Sequence, residues 1–438
     1  MPQNFLACDR EQSFLMPPSL RDWLPADQLA WCVLDAVAEM DLSAFYGDYR
    51  ADGHGRAAFD PGMMVALLVY AYAVGERSSR GIERRCQIDV AFRVIAANQT
   101  PDHATIARFR VRHEEALAGL FSQVLGLCAR AGLVSLGVIA LDSTKIAANA
   151  SGLANRTYEQ IAAEILAEAD AIDAAEDERF GESRGDELPP ELADPASRRA
   201  RLRDAKRRLE GEHEAAREAH REKLAARERR IAEHGRKRAG REPKAPPERP
   251  DPRARMNVTD PDSRPVRTPR GFIQGYNVQA VTTAGQILIA AEVETGADQR
   301  LLEPMIRAAT RELDAAGINQ PIDAALADAG YWKTEQIENL WADGIPVLVA
   351  PDGKRGDPTR RGGIFDHMRR VLTTAHGKTL YRQRAHTIEP VFGHTKHNRR
   401  IERFQRRGLT ACRSEWRLIT ATHNLVKYWR ATTAPTPA

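Results

Sequence analysis

The sequence predicts an α/β fold in which a mixed sheet, flanked by helices, follows an all-helical N-terminal part. Helical patterns fill the first third of the chain, and apolar runs of strand length begin only after Leu136. From Gly271 onward such runs alternate with amphipathic helices, the pattern of a sheet covered by helices. Between the first two long strands lies a highly charged stretch, which predicts a long helical insertion.

Residues 1–132 are predicted to form the helical N-terminal domain. Aspartate followed by proline at 60–61 is an N-cap with a first-turn proline and marks a helix start. The predicted helices are Asp27–Met40, Pro61–Tyr72, Ser79–Ala97, Thr105–Arg112 and Glu114–Ala131.

The segment after Asp102 combines a capped helix start with three arginines, Arg108, Arg110 and Arg112. This arrangement favours the recognition helix of a helix-turn-helix unit, in which the arginines contact DNA. The alternative is a helix packed in a small bundle with a basic face toward water. The sequence leaves both interpretations open.

A second domain is predicted over residues 133–430, and it begins with the strand Gly137–Asp142. Residues 155–262 are predicted as a charged helical insertion between its first and second strands. An acidic helix in this insertion precedes a basic one, so the two could fold back as a hairpin with complementary charge. A solvated helical spacer is the alternative.

Strands return with the alternating pattern of Gly271–Val281, and a turn leads to the strand Gln286–Val293, which together predict a hairpin. Residues 431–438 are predicted to be a disordered tail. The remaining predicted elements alternate in type: helix Arg300–Ala316, strand Ile322–Asp328, helix Thr334–Asp343, strand Pro346–Ala350, and a last helical region from near Ile388 to about Trp429, with an interruption at Gly408 as the alternative to a continuous helix.

The net charge of +4 conceals blocks of one sign. Basic residues outnumber acidic ones by about two to one over 198–255 and by about three to one over 352–417. Two basic blocks indicate a polyanionic partner, most commonly nucleic acid.

The five cysteines are scattered without a paired spacing, so neither a zinc site nor a disulfide framework is indicated. We see no signal peptide and no apolar stretch of membrane-spanning length. The sequence therefore predicts a cytoplasmic, nucleoid-associated protein with no membrane partner.

Three acidic residues are the candidate catalytic and metal-binding groups. Asp142 and Asp328 each end a predicted apolar strand, at the edge where open α/β sheets place their sites, and Glu389 lies at the predicted start of the last helical region. Two Mg²⁺ ions about 3.5–4 Å apart can activate an attacking oxygen and stabilise a leaving one in phosphodiester chemistry. Mg²⁺ prefers such hard oxygen ligands. For either aspartate alone, the alternative is a strand-end turn or a helix cap.

The chain around Glu389 is rich in cations. Lys396 follows it by two helical turns, which places both on one face of the predicted helix. Arg399, Arg400 and Arg403 come further along the same predicted helix and are candidate DNA-binding residues. A carboxylate surrounded by this positive charge suits a metal site with bound phosphates, whereas the alternative for Lys396 is a surface lysine.

These residues carry a resemblance to a known family. The pattern Tyr381-x2-Arg384-x4-Glu389-x6-Lys396 resembles the Tyr/Arg/Glu/Lys signature of DDE transposases from bacterial insertion sequences. Segments that start at residues 141, 256, 275 and 327 are similar to other blocks of this family. The segments at residues 59–61 and 101–105 resemble its InsH-type helical N-terminal domain. The blocks stand in the family's order over most of the chain.

The resemblance implies an RNase H-like catalytic domain in which Asp142, Asp328 and Glu389 hold two Mg²⁺ ions, with Mn²⁺ as a possible substitute. Tyr381 and Arg384, with Lys396, would contact DNA phosphates near the cut end. Arg384 stands one residue further from the glutamate than in the commonest version of the signature.

The implied function is DNA transposition. Cleavage at terminal inverted repeats would free a 3′-hydroxyl that is then joined to target DNA, and a homodimer on double-stranded DNA would pair the two ends. Two alternatives are a catalytically silent, sequence-specific DNA-binding protein (a decayed transposase or a repressor) and a structure-selective nuclease on the same fold.

Overall fold

The computed structural model describes residues 19–49, 57–164, 195–234, 242–351 and 362–433. Before the first strand the described chain is helical, as predicted. Its helices are α1 (Leu29–Ala38), α2 (Ser43–Tyr46), α3 (Pro61–Ala73), α4 (Ser79–Ile88), α5 (Val90–Ile95), α6 (His103–Arg112) and α7 (Glu114–Arg130).

The predicted helix Ser79–Ala97 is two helices, and Asp89 divides them. Asp89 has an extended backbone (φ −105°, ψ 124°), and its carboxylate accepts hydrogen bonds from the backbone N–H groups of Ala91 and Phe92. A side chain that caps a new helix in this way competes with continuation of the old one, which explains the break.

A mixed sheet follows, and a small two-stranded sheet lies at the base of the insertion. The strands are β1 (Val138–Ala147), β2 (Asn155–Thr157), β3 (Arg255–Asn257), β4 (Arg264–Thr268), β5 (Gly271–Thr283), β6 (Leu288–Glu294), β7 (Ala324–Ala327) and β8 (Val347–Val349). In the large sheet the order is β6–β5–β1–β7–β8, and β4 pairs with the first residues of β5. Strands β1, β7 and β8 are parallel, whereas β5 is antiparallel to both β1 and β6.

Strand β1 is longer than predicted. It continues to Ala147, so Asp142 lies within the strand rather than at its end. The reason is β5, which pairs with β1 from Ile139 to Ala147, whereas the parallel pairing with β7 reaches only Ala140. Asp142 therefore lies where β1 has lost its parallel neighbour but keeps its antiparallel one.

The described helices after β1 include one in the insertion and five around the sheet. They are α8 (Pro195–His234), α9 (Leu302–Ala315), α10 (Thr334–Ala342), α11 (Gly363–Thr373), α12 (Ala375–Gly393) and α13 (Leu409–Thr433). Among the described residues, none of the helices is both long and apolar enough to cross a membrane.

The predicted last helical region is wrong in its start, and the interruption considered at Gly408 is present but begins earlier, after Asn398. Helix α12 begins at Ala375, where the Thr374 hydroxyl accepts a hydrogen bond from the backbone N–H of Gly377. It ends in a π-helical turn, and Arg400 then adopts a left-handed backbone (φ 53°) that stops the helix. Glu389 is thus near the C-terminal end of α12, and the arginines after it lie in a loop.

Helix α13 continues to Thr433, three residues into the predicted disordered tail; residues 434–438 lie outside the described part of the chain. It packs against α7, α3 and β6, and its buried Trp416 donates a hydrogen bond to the backbone oxygen of Gln279 in β5. One hydrophobic core therefore runs from the N-terminal helices through α13 into the sheet.

The insertion leaves and re-enters the sheet domain through the β2–β3 ribbon. A separate small core above this ribbon contains Ile161, Leu202, Ala205, Leu209 and Met256. Beyond Leu209, helix α8 has no buried residue up to its end at His234. The predicted acidic helix falls mostly on residues 165–194, outside the described residues, so the hairpin and spacer alternatives both stand.

The close approach of β5 to β1 at Gly275 generates a stability prediction. A Cβ atom at Gly275 would lie 2.5 Å from the backbone oxygen of Ile146, closer than such contacts allow. Gly275→Ala is therefore expected to lower the free energy of unfolding by about 1–3 kcal/mol, measured as a lower thermal midpoint by circular dichroism. Gly211→Ala is the control: its Cβ would meet no atom within 4 Å, and in mid-helix the substitution should be neutral or stabilising. Equal midpoints for the two variants would contradict the packing argument.

Candidate active site

Asp142 and Asp328 are neighbours across two parallel strands. The register pairs Ala140 with Leu326; Asp142 follows two residues later within β1, and Asp328 follows two residues later, directly after the end of β7. The Asp142 carboxylate accepts a hydrogen bond from the backbone N–H of Ser143 at 2.7 Å. The Asp328 carboxylate accepts one from Gly330 at 2.9 Å. Asp328 thereby caps a short 3₁₀ turn, so the cap considered from the sequence is part of its local role.

The Asp142 carboxyl group lies in an environment that disfavours its charge. Burial raises its pKa, and the negative charge of Asp328 adds to this effect. The Ser143 N–H and the Arg384 guanidinium act in the opposite direction. Two carboxylates this close, with one of them desolvated, form a site where an added positive charge is stabilising.

Arg384 supplies positive charge to this site from α12. Its Nη1 donates a hydrogen bond to Asp142 Oδ2 at 2.8 Å, and its Nη2 lies 3.9 Å from Glu389 Oε1. The Arg384 and Asp142 side chains are about one-fifth exposed, whereas that of Glu389 is 63% exposed. The guanidinium group therefore connects the buried aspartate with the exposed glutamate.

The three predicted carboxylates do not form a metal cluster as they stand. Over the described ranges, no group of three or more His, Cys, Asp or Glu side chains is arranged to hold a metal ion. Asp142 and Asp328 lie close enough for their charges to interact. Glu389 instead contacts Arg384, which in turn is paired with Asp142. The donors still fit a hard divalent cation, because Asp142 is a desolvated carboxylate beside a second carboxylate and is already paired with a cationic group.

Two further residues of the signature contact the strands that carry the aspartates. The Tyr381 hydroxyl donates to the backbone oxygen of Ala327, next to Asp328, at 3.2 Å, and burial raises its pKa. Lys396 Nζ donates to the backbone oxygen of Lys145 in β1 at 2.8 Å, and burial lowers its pKa. Lys396 lies in the π-helical turn after α12, so the expectation that it shares a regular helix face with the glutamate is wrong.

A polar network on β1 and β5 was missed in the sequence. Lys145 Nζ lies 2.5 Å from Asn277 Oδ1, and Asp298 accepts hydrogen bonds from the side chains of both Asn277 and Gln279. The available signal was the two-residue period. Asn277 and Gln279 pair in register with Lys145 and Ser143, so these polar side chains share one face of the sheet.

Arg399 and Arg110 are buried, which corrects their prediction as DNA-binding residues. Arg399 donates to the backbone oxygens of Tyr72 and Ile419 at 2.6 and 2.8 Å and to the Thr422 hydroxyl. Burial, together with the charge of Arg77, lowers its pKa to about 9.

Arg110 donates to the Tyr72 hydroxyl and to the backbone oxygen of Arg77. Its side chain therefore fixes α6 against α3 and the segment that leads into α4, as the bundle interpretation of α6 expects. The other predicted DNA-binding arginines are exposed: Arg108, Arg112, Arg400 and Arg403.

Two family models match this chain. One, described as a transposase domain (DUF772), matches residues 18–112, and the other, a transposase DDE domain, matches residues 361–429. The second match contains Tyr381, Arg384, Glu389 and Lys396, whereas Asp142 and Asp328 lie outside both matches. Together the matches cover less than half of the chain. No curated protein matches the chain, and no solved structure does so either.

The chain forms a mixed α/β sheet with a helical N-terminal part, and transposase families match it near both ends; these matches support a DNA transposase function. More particularly, the two matched domains support a DDE transposase of an insertion element. The matches give the silent DNA-binding protein and the structure-selective nuclease no support over this function.

The burial of Arg399 predicts a role in stability. Arg399→Ala would leave two backbone carbonyls and a hydroxyl without their donor inside the core, so we expect a loss of about 2–4 kcal/mol in the free energy of unfolding. Chemical denaturation measures it. Arg400→Ala, which removes the exposed neighbouring arginine, should change stability by less than about 0.5 kcal/mol. A stable Arg399→Ala variant with weakened DNA binding would restore the original prediction.

Proposed function

We propose that this transposase cleaves the terminal inverted repeats of its element and joins the freed 3′-hydroxyl to target DNA, using Asp142, Asp328 and Glu389 in an RNase H-like domain. The observation that carries the proposal is the register of β1 and β7, which sets Asp142 beside Asp328 under α12. The signature residues on α12 then surround the pair.

Divalent metal ions, two Mg²⁺ or Mn²⁺ in their place, would be held by Asp142 and Asp328, with Glu389 as the third ligand. When bound, they supply Lewis-acid activation of the attacking oxygen and stabilisation of the leaving oxygen in phosphodiester cleavage. Glu389 suits a ligand that completes the site late, because its side chain is largely exposed and free to change rotamer.

We expect Arg384 to change its partner when divalent metal ions are bound. In the free protein its guanidinium balances the Asp142 carboxylate. With Asp142 serving as a metal ligand, the guanidinium would be available to the scissile-strand phosphate, for which its planar donors are well suited. Lys396 lies one hydrogen bond from β1 and would bind a second phosphate, while Tyr381 would position the strand end.

The DNA partner is double-stranded, with the element ends and the target as substrates. We propose a homodimer on DNA, because two ends must be paired before joining, and a location at the nucleoid. The division into a DNA-binding domain (1–132), a catalytic domain (133–430), an insertion (155–262) and a terminal tail is part of the same proposal. Exposed Arg108 and Arg112 on α6 are its N-terminal DNA contacts, and Arg400 and Arg403 its contacts after α12.

Isosteric substitution of the three acids tests the mechanism. Asp142→Asn, Asp328→Asn and Glu389→Gln each remove a negative charge from the site. We expect each to lower Mg²⁺-dependent nicking of an element-end duplex by more than about a hundredfold, the upper range for groups that only support a metal ligand. Gel electrophoresis of end-labelled DNA measures the nicking rate.

Asp314→Asn, which changes an exposed aspartate on α9, is the matched control and should nick at the wild-type rate. DNA binding by the three site variants should persist, because none of these substitutions removes a cation. Wild-type nicking in any one of them would refute its assignment as a metal ligand.

A further inference from the structure

A cleft of about 550 Å³ lies where the N-terminal helices meet the segment that precedes α13. Helices α4 and α6 form one wall, and residues 405–407 form the other. Arginine is its most frequent lining residue: Arg77, Arg80, Arg110, Arg406 and Arg407. Among the described residues that line it, none is acidic.

The positive charge of the cleft is only partly neutralised. Glu415 pairs with Arg77 at 2.7 Å, and Glu114 pairs with Arg406. Arg407 donates to a backbone oxygen, that of Asn149, at 2.8 Å, and the described residues provide Arg80 with no ion pair. Of the acids in the described ranges, only Glu415 and Glu114 pair with the five arginines that line the cleft. An anion entering it would therefore meet a net positive field.

The uncharged groups of the cleft also suit a sugar–phosphate backbone. The hydroxyls of Ser78 and Ser79 and the side-chain amide of Gln405 can bond phosphate or sugar oxygens. Val111 is 67% exposed at the rim, and its apolar side chain offers contact to a sugar.

The cleft is held at a fixed distance from the aspartates. The backbone N–H of Ala147, the last residue of β1, donates to the oxygen of Glu402, and its oxygen accepts from the N–H of Phe404. One wall of the cleft is thus bonded to the end of the strand that carries Asp142. At about 3.3 Å per residue, Asp142 lies roughly 20 Å from the cleft along this direction.

We propose that this arginine cleft binds the backbone of the element-end DNA about six nucleotides from the cleaved phosphate, since a strand advances about 3.4 Å per nucleotide. This inference rests on the proposed function and adds a second contact to it. The N-terminal helices and the segment before α13 then hold the DNA jointly, at a site separate from the acidic centre.

The test is DNA binding measured apart from cleavage. Fluorescence anisotropy of a labelled duplex of arbitrary sequence, titrated with the full-length protein at several salt concentrations without divalent cations, gives the affinity and its salt dependence. Arg80→Ala and Arg407→Ala should each weaken binding several-fold and reduce the slope of log affinity against log salt by about 1, with about 2 for the double variant. Arg80 is exposed, so its substitution leaves the fold intact.

Arg311→Ala, which removes an exposed arginine on α9 outside the cleft, is the control and should bind as the wild type does. Wild-type affinity and slope in the Arg80 and Arg407 variants would overturn the proposal. Failure of the catalytic assignment is a distinct result: the site-acid variants would still nick DNA, while the cleft variants would still lose affinity.

Discussion

The unequal pairing of β1 on its two sides is the constraint on which the site depends. Strand β5 holds β1 over almost its whole length, whereas β7 leaves it at Ala140. The gap that opens beside β1 exposes Asp142 to α12, and the end of β7 brings Asp328 to the same gap. Without the long antiparallel partner, the second half of β1 would depend on the backbone bonds of Ala147 to the segment before α13, five residues away from Asp142.

Arginine side chains stabilise the junctions around this sheet. Arg399 bonds α13 to α3 through two backbone oxygens, and Arg77 pairs with the buried Glu415 of α13. Buried guanidinium groups cost desolvation free energy, which such a set of hydrogen bonds offsets. The same residue type therefore serves in the core, in the acidic site and in the cleft, and burial distinguishes these roles.

Much of the element order could be predicted from the sequence, because hydrophobic periodicity records which face of an element is buried. The N-terminal helices, the hairpin of β5 and β6, and the association of Asp142 and Asp328 each with an apolar strand follow from such local patterns, whereas the adjacency of those two strands does not. The end of β1, the break at Asp89 and the start of α12 could not be predicted, because each depends on a partner distant in sequence or on a cap that competes with a longer helix.

The candidate site, too, could be predicted from the sequence in its acidic residues but not in its packing. Residue types and spacing indicated Asp142, Asp328 and Glu389, but the intervening Arg384 guanidinium depends on the packing of α12 against β1. The DNA-binding prediction for Arg110 and Arg399 was wrong because charge alone does not reveal a side chain that turns into the core toward backbone oxygens. The network around Asp298 was overlooked for a similar reason, since its members come from separate elements.

The β2–β3 ribbon joins the two ends of the predicted insertion at its base. Asn155 and Asn257 pair across the ribbon, and the Asn257 side-chain amide also donates to the backbone oxygen of Ser151. The chain that enters the insertion is thus hydrogen-bonded to the chain that leaves it. Loop-closure entropy grows only slowly with loop length, so a change in the length of the chain beyond the ribbon adds little to its closure cost. A longer or shorter insertion is therefore compatible with the same register of β1 and β5 and the same geometry of the acidic centre.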